Sequence, residues 1–257
     1  MLSNEKITSY AAPLDLLADR VILVTGAGDG IGRAVARACA AHGATVLLAG
    51  RTIAKLEDTY DAIAAAGGCD AIICPIDIEG ATSDDFQQFN ADIESQFGHL
   101  DGLVNNAGIL GQRTPLSHYK TDVWERVIKT NLSAQFELTQ ALMPSLQASS
   151  TGASIIFTSS GVGRKGRAFW GAYAVSKFAV EGLVQTWAAE VEGMGALRIN
   201  AINPGATRTQ MRATAYPAEN PETLKTATDI TPAYLYLLGD DSLGVNGQSL
   251  DAQAAKK

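Results

Sequence analysis

Apolar residues in this chain gather in short unbroken runs, and the stretches between them read as helices. The runs read as strands: Arg20 to Thr25, Thr45 to Ala49, Asp70 to Ile76, Gly102 to Val104, Ser154 to Thr158, Leu197 to Ile202 and a last short one over Gly247 to Leu250. Continuous β-branched runs are the pattern of strands covered on both faces. Helices are predicted over Ile31 to His42, Ile53 to Ala66, Ser83 to Phe97, Thr121 to Lys129, Asn131 to Gln147, around Tyr173, and over Ala233 to Leu238. Gly43 and the Gly67-Gly68 pair stand where helices should stop. Strand and helix alternate throughout, which predicts an α/β fold. The expectation is one doubly wound domain over 1–257, with a parallel, roughly seven-stranded sheet, right-handed crossovers and helices on both faces. Residues 1–19 read as a short leader strapped across the sheet, and 206–228 as an irregular segment.

Composition leaves that picture in place. The chain has 257 residues, 46% of them hydrophobic and 18% charged, enough for one sizeable domain. Its net charge is −7 and no basic block occurs, so nucleic acid is not an expected partner. No apolar run approaches the roughly 20 residues of a membrane span. The first 20 residues lack the apolar core of a signal peptide, so a cytoplasmic protein is expected. Cys39, Cys69 and Cys74 are scattered, and His42, His99 and His118 lack metal-ligand spacing, so neither disulfides nor a metal site is expected.

The first strand runs directly into TGAGDGIG over 25–32, followed by an Ala-rich helix. Gly26, Gly28, Gly30 and Gly32 sit where a backbone must approach a pyrophosphate at a helix N-terminus. The spacing is T-G-x-x-x-G-x-G rather than G-x-G-x-x-G. A carboxylate at the end of the second strand would accept a ribose 2′-hydroxyl. That place reads Ala49-Gly50-Arg51-Thr52. A guanidinium there would pair with a 2′-phosphate, so NADP(H) is expected in preference to NAD(H). Asp29 in the loop works against that charge, and Arg33 could supplement Arg51.

Chemistry is concentrated in 154–178, where a strand, a Gly-rich basic loop and a helix follow one another. Tyr173 and Lys177 are four apart and share a helix face. Ser159 and Ser160 stand at the strand end, where open α/β sheets place their sites. A phenol has an ordinary pKa of about 10, and a nearby cation lowers it toward a useful range. Taken alone, Y-x-x-x-K also fits an ordinary helix with a surface lysine and a half-buried tyrosine.

With these pieces placed, the chain resembles the short-chain dehydrogenase/reductase family over nearly all its length. The resemblance rests on TGAGDGIG, Asp77, NNAG over 105–108, Asn131, Ser160, Tyr173, Lys177, Pro204-Gly205 and Thr209. Within the family it looks nearest to the YciK-type bacterial members, through TSSGVGRKGR, WGAYAVSKFA and NPGATRTQMR. The resemblance implies a Rossmann-type domain and reversible hydride transfer between a nicotinamide and a carbonyl or alcohol. It implies Asn131, Ser160, Tyr173 and Lys177 as the catalytic set, with Tyr173 as acid and base, Lys177 lowering its pKa, and Asn131 holding a water. Ser160 lies thirteen residues before Tyr173, the family interval, and is chosen over Ser159. Ile31 belongs to the glycine loop. Asp77 and Ile78 should sit by the adenine. Asn105, Ala107 and Gly108 should floor the cofactor, and Pro204, Gly205, Thr207 and Thr209 should line its nicotinamide and phosphates. The stretch 206–228 takes the place of the variable substrate loop, and a homodimer or homotetramer is expected.

Two classes of function remain at this stage: an NADP(H)-dependent oxidoreductase of a small-molecule carbonyl or alcohol, and a non-catalytic NADP(H)-binding sensor on the same fold. Arg164, Lys165 and Arg167 crowd the loop before Tyr173. With Arg208 or Arg212 they could hold an acidic substrate, or they could contact solvent, a neighbouring subunit or the C-terminal tail.

Overall fold

A computed structural model of the chain describes residues 7–68, 70–193 and 197–254. Cys69 and the start of the leader lie outside the described residues. The main elements run β1 (Val21–Thr25), α1 (Gly30–Ala41), β2 (Thr45–Gly50), α2 (Ile53–Ala65), β3 (Ala71–Pro75), α3 (Ser83–Phe97), β4 (Gly102–Asn105), α4 (Thr121–Ile128), α5 (Ala134–Gln147), β5 (Ser154–Thr158), α6 (Gly171–Glu190) and β6 (Arg198–Asn203). Then come β7 (Thr207–Arg208), α7 (Gln210–Ala215), β8 (Lys225–Thr226), α8 (Thr231–Leu238) and β9 (Ser249–Asp251).

Seven strands form one parallel sheet in the order β3-β2-β1-β4-β5-β6-β9. All five residues of β1 and of β5 are buried, as continuous apolar runs require when helices cover both faces. One face packs α1, α2 and α8 around Val24, Leu48 and Ile156; the other packs α3, α5 and α6 around Leu23, Leu103 and Phe157. The two clusters take alternate residues of the same strands, the period-two geometry of a pleat. Strand order reverses between β1 and β4, so the C-terminal ends of these strands diverge into a crevice.

Four expectations change. The two helices expected at 121–147 are one continuous rod whose middle, Lys129–Ser133, is a π-helical turn. Residues 206–228 are not irregular: β7 and β8 form a two-stranded parallel ladder flanking α7, which Thr209 caps by accepting from Arg212 N at 3.1 Å. From residue 7 the leader packs on α8 rather than across the strands: Tyr10 meets Tyr236 edge-on at 5.3 Å and bonds Asp241 at 2.9 Å. The last strand begins two residues later than predicted.

Candidate active site

At the crevice a cavity of about 400 Å³ opens between the glycine loop, the ends of β2 to β5 and α7. Its floor is the 25–32 loop. Gly26 and Gly30 take φ of +66° and +50°, which favour glycine. A Cβ on Gly32 would stand 2.2 Å from the Gly26 carbonyl oxygen, and one on Gly28 would stand 2.8 Å from Lys55 Cβ. Gly32 thus lets α1 press against the loop from behind, while Gly26, Gly28, Gly30 and Ile31 face the cavity. Such a cradle fits a pyrophosphate at a helix N-terminus. Thr25, the first residue of the T-G-x-x-x-G-x-G motif, ties the loop down: its hydroxyl donates to Val104 O and accepts from Asn106 N and Ala107 N.

Asp29 caps α1, accepting from Gly30 N at 2.7 Å, and also takes the Lys55 ammonium at 2.6 Å. The Lys55 hydrogen bond holds its carboxyl below the usual range. The acidic residue in the loop is therefore neutralised by a lysine one helical turn into α2. Arg51 lies at the cavity rim with 58% of its side chain exposed. Glu79, in the turn after β3, stands 3.9 Å from it. Arg126 holds that carboxylate at 2.8 Å, and Thr130 bonds it too, so it is already matched. Arg33 turns away to Asp58 O. Asp77 and Ile78 line the wall beside Arg51.

Ala107 and Gly108 line the cavity, but Asn105 does not. It is fully buried and donates to Thr139 Oγ1 at 2.8 Å, on the α5 side of the sheet. Asn106, the next residue and so on the opposite face, reaches Thr25 O and the cavity instead. Pro204 and Thr209 reach the cavity. Thr207 is buried with its hydroxyl on Pro204 O, and Gly205, at φ +69°, packs on Gln253; both shape the wall from behind.

Tyr173, Lys177 and Ser160 converge at the end of β5. The Ser160 hydroxyl stands beside the Tyr173 phenol, accepts from Val162 N at 3.4 Å, and is not among the side chains lining the cavity. Lys177 Nζ donates to Thr158 O at 2.6 Å and sits 5.8 Å from the centre of the Tyr173 ring. Burial pushes the phenol above its usual value, opposed by the Ser160 bond. The same burial pushes Lys177 down to about 8, opposed by Glu181. The net lowering of the phenol expected from sequence is not found, because desolvation outweighs the Ser160 hydrogen bond. Asn131 sits in the π-helical turn. Its side chain accepts from Ile109 N at 2.8 Å and donates to Ile109 O and Ser176 Oγ. It braces the loop after β4 against the helix that carries Tyr173.

Above Tyr173 lies a small apolar cluster of Val162, Trp170, Ala174 and Ala215, with Leu110 and Tyr216 against it. Trp170 packs 5.5 Å from the Tyr173 ring; Phe169, at φ +71°, is 54% exposed and belongs to no core. Arg113, which no sequence motif marks, lies 4.7 Å from both the Trp170 and the Tyr216 rings and donates to Ala215 O. The cations proposed for an acidic substrate are otherwise engaged. Arg164 pairs with Asp251 in the C-terminal strand at 2.7 Å, Arg208 with Glu222 at 3.1 Å and Arg212 with Glu219 at 2.6 Å. Lys165 and Arg167 are exposed. Among the described residues no cluster of His, Cys, Asp or Glu could hold a metal, and no helix is long and apolar enough to cross a membrane.

A family model described as short chain dehydrogenase matches residues 20–220. The chain is 49% identical to the uncharacterized oxidoreductase YciK of Escherichia coli (strain K12) over 248 residues, 96% of this chain and 97% of that one. Among solved structures it is similar to a short chain dehydrogenase from Pseudomonas syringae, with TM-score 0.93 and 55% identity over 95% of this chain and 99% of the other. It is likewise similar to one from Shigella flexneri 2a complexed with NADP, with TM-score 0.91 and 49% identity over 94% and 100% of the two chains.

Proposed function

The chain belongs to the short chain dehydrogenase family and is an oxidoreductase, and from that premise we propose that it moves hydride between NADP(H) and a carbonyl or alcohol carbon, with Tyr173 as general acid and base. The observation that carries this reading is the convergence of a phenol, a hydroxyl and an ammonium at the end of β5, beside a glycine cradle. Gly26, Gly28 and Gly30 would admit the pyrophosphate, and Arg51 with Lys55 would take a 2′-phosphate. The Shigella flexneri relative complexed with NADP supports that choice. A bound nicotinamide supplies or accepts the hydride.

The protein's part is position and charge. Ser160 donates to the substrate oxygen and holds the phenol in line with it. Tyr173 gives that oxygen a proton as negative charge builds there, and in the reverse direction removes one from the alcohol. Lys177, while charged, favours the phenolate that is left behind. Asn131 fixes the helix on which both stand, and a water near it would return the proton. The apolar cluster over Tyr173 favours a substrate with an apolar body beside its carbonyl. NADPH consumption across a panel of aldehydes and ketones tests the reading. It requires turnover by at least one member, with kcat/KM higher for NADPH than for NADH. A panel that leaves NADPH untouched, or equal values for the two cofactors, would overturn it.

A further inference from the structure

Three polar side chains at the end of β5 have no part in the chemistry above. Ser159, 1% exposed, lies on the cavity wall and donates to Glu181 Oε1. Glu181 is 8% exposed and lies one helical turn beyond Lys177, so Tyr173, Lys177 and Glu181 form a stripe at intervals of four. Arg164 Nε stands 3.5 Å from the same carboxylate oxygen, and its Nη1 reaches Asp251 at 2.7 Å. Asn203 fixes Asp251 at 2.7 Å. Charge therefore alternates from the active site to the last strand: Lys177, Glu181, Arg164, Asp251.

We propose that Glu181 is a positioning residue that keeps the Lys177 ammonium charged, its carboxylate held behind the lysine by Ser159 and Arg164. This rests on the reading of Lys177 as part of the catalytic set. Lys177 is 3% exposed and its amine is held by one backbone carbonyl. A buried ammonium without counter-charge releases its proton. The groups around it are Tyr173 and Glu181 on α6, Thr158 and Ser159 on β5, Arg164 in the turn after it, Tyr234 on α8 through its 3.1 Å bond to Thr158, and Asp251 on β9. Glu181 is the one carboxylate among them on the same helix as Lys177, four residues on. Burial pushes the amine down and Glu181 opposes it, the two together leaving it at about 8. An amine is charged below its pKa, so removing the Glu181 charge moves the loss of the ammonium to lower pH.

The direct test is an NMR titration of ε-labelled lysine in the full-length, ligand-free protein, with the Lys177 signal assigned by its absence in Lys177→Met. Glu181→Gln should lower the Lys177 midpoint by about one pH unit or more. Glu181→Asp, which keeps the charge, should restore most of it. Arg164→Gln should raise it, because the competing cation is gone. Mere loosening of the helix would hydrate the amine and raise the midpoint in every variant, so the downward move with Glu181→Gln separates the two. Where Glu181→Gln does not fold, Glu181→Met, which also removes the charge, takes its place, and a midpoint that fails to fall overturns the proposal. A folded Glu181→Gln protein with an unchanged or raised midpoint overturns it as well. The titration needs no substrate, so it reads out even where the carbonyl panel fails. Where the panel succeeds, the pH limb of kcat belonging to Lys177 should move with the NMR midpoint.

Discussion

Arg51 stands at the end of β2 with more than half of its side chain in solvent and only a distant share of Glu79. Glu79 answers first to Arg126, whose hydrogen bond is the main reason its carboxyl is held below the usual range. Arg51 is therefore free to take a doubly charged phosphate, and Arg51→Ala should weaken NADPH binding about ten- to a hundredfold, the worth of one charge-assisted hydrogen bond, while leaving NADH binding nearly unchanged. Fluorescence titration of both cofactors checks it, and equal losses would contradict it. At this scale the sequence named residue types better than directions. Arg51, Tyr173 and Lys177 could be placed because a strand end or a helical interval fixes where they point. Asn105 and Asn106 could not be told apart, because adjacent residues of an extended chain face opposite ways and the motif contains both. Ser159 and Ser160 posed the same problem: Ser159 lies on the cavity wall and bonds Glu181, while Ser160 stands beside the phenol. Lys55 and Glu79 were missed because their partners, Asp29 and Arg126, lie 26 and 47 positions away.

Among the elements, the long runs were legible and the short ones were not. β5 and α3 match their predicted spans because a continuous apolar run and a Thr82 capping box each leave a local mark. The 206–228 segment leaves none: its strands are two residues long and α7 is six, too short for any periodicity. The π-helical turn at Asn131 is equally silent, being one extra residue per turn inside an otherwise continuous helix. What holds α7 in place is long-range. Arg113 reaches from the loop after β4 to lie between Trp170 and Tyr216, while Arg212 covers the other side of Tyr216 at 3.9 Å and is locked by Glu219. Cation–π contacts of this kind contribute about 0.5–1 kcal/mol each at exposed sites. Arg113→Ala should therefore loosen 206–228 without unfolding the sheet. The measurable result is faster limited proteolysis within that segment at an unchanged Tm; an unchanged cleavage rate would show that α7 holds by other contacts.

On the scale of the whole molecule, the sheet order explains why a site assembled from residues between Thr25 and Met211 is one site. Most contributors sit at or just beyond the C-terminal end of a parallel strand, helices bring in Lys55, Thr130, Tyr173, Lys177 and Met211, and the reversal between β1 and β4 opens the space between them. The outer face of α5 and α6 adds a second property. Phe136, Val175 and Phe178 are exposed there at 38%, 42% and 45%, with Trp187 against Phe136. Large apolar side chains left exposed on these two helices suit an association surface. We expect a homodimer or homotetramer that pairs through it. In sedimentation, Phe178→Glu should shift the protein toward a smaller species, and an unchanged mass would move the interface elsewhere. The proposed hydride transfer turns on the Tyr173 phenol. Tyr173→Phe keeps the ring that packs on Trp170 and removes only the hydroxyl. With any carbonyl that the wild type reduces, kcat should fall by about 10²- to 10⁴-fold, the range for a lost general acid, while NADPH binding is retained. A variant that reduces the same carbonyl at the wild-type rate would contradict the account.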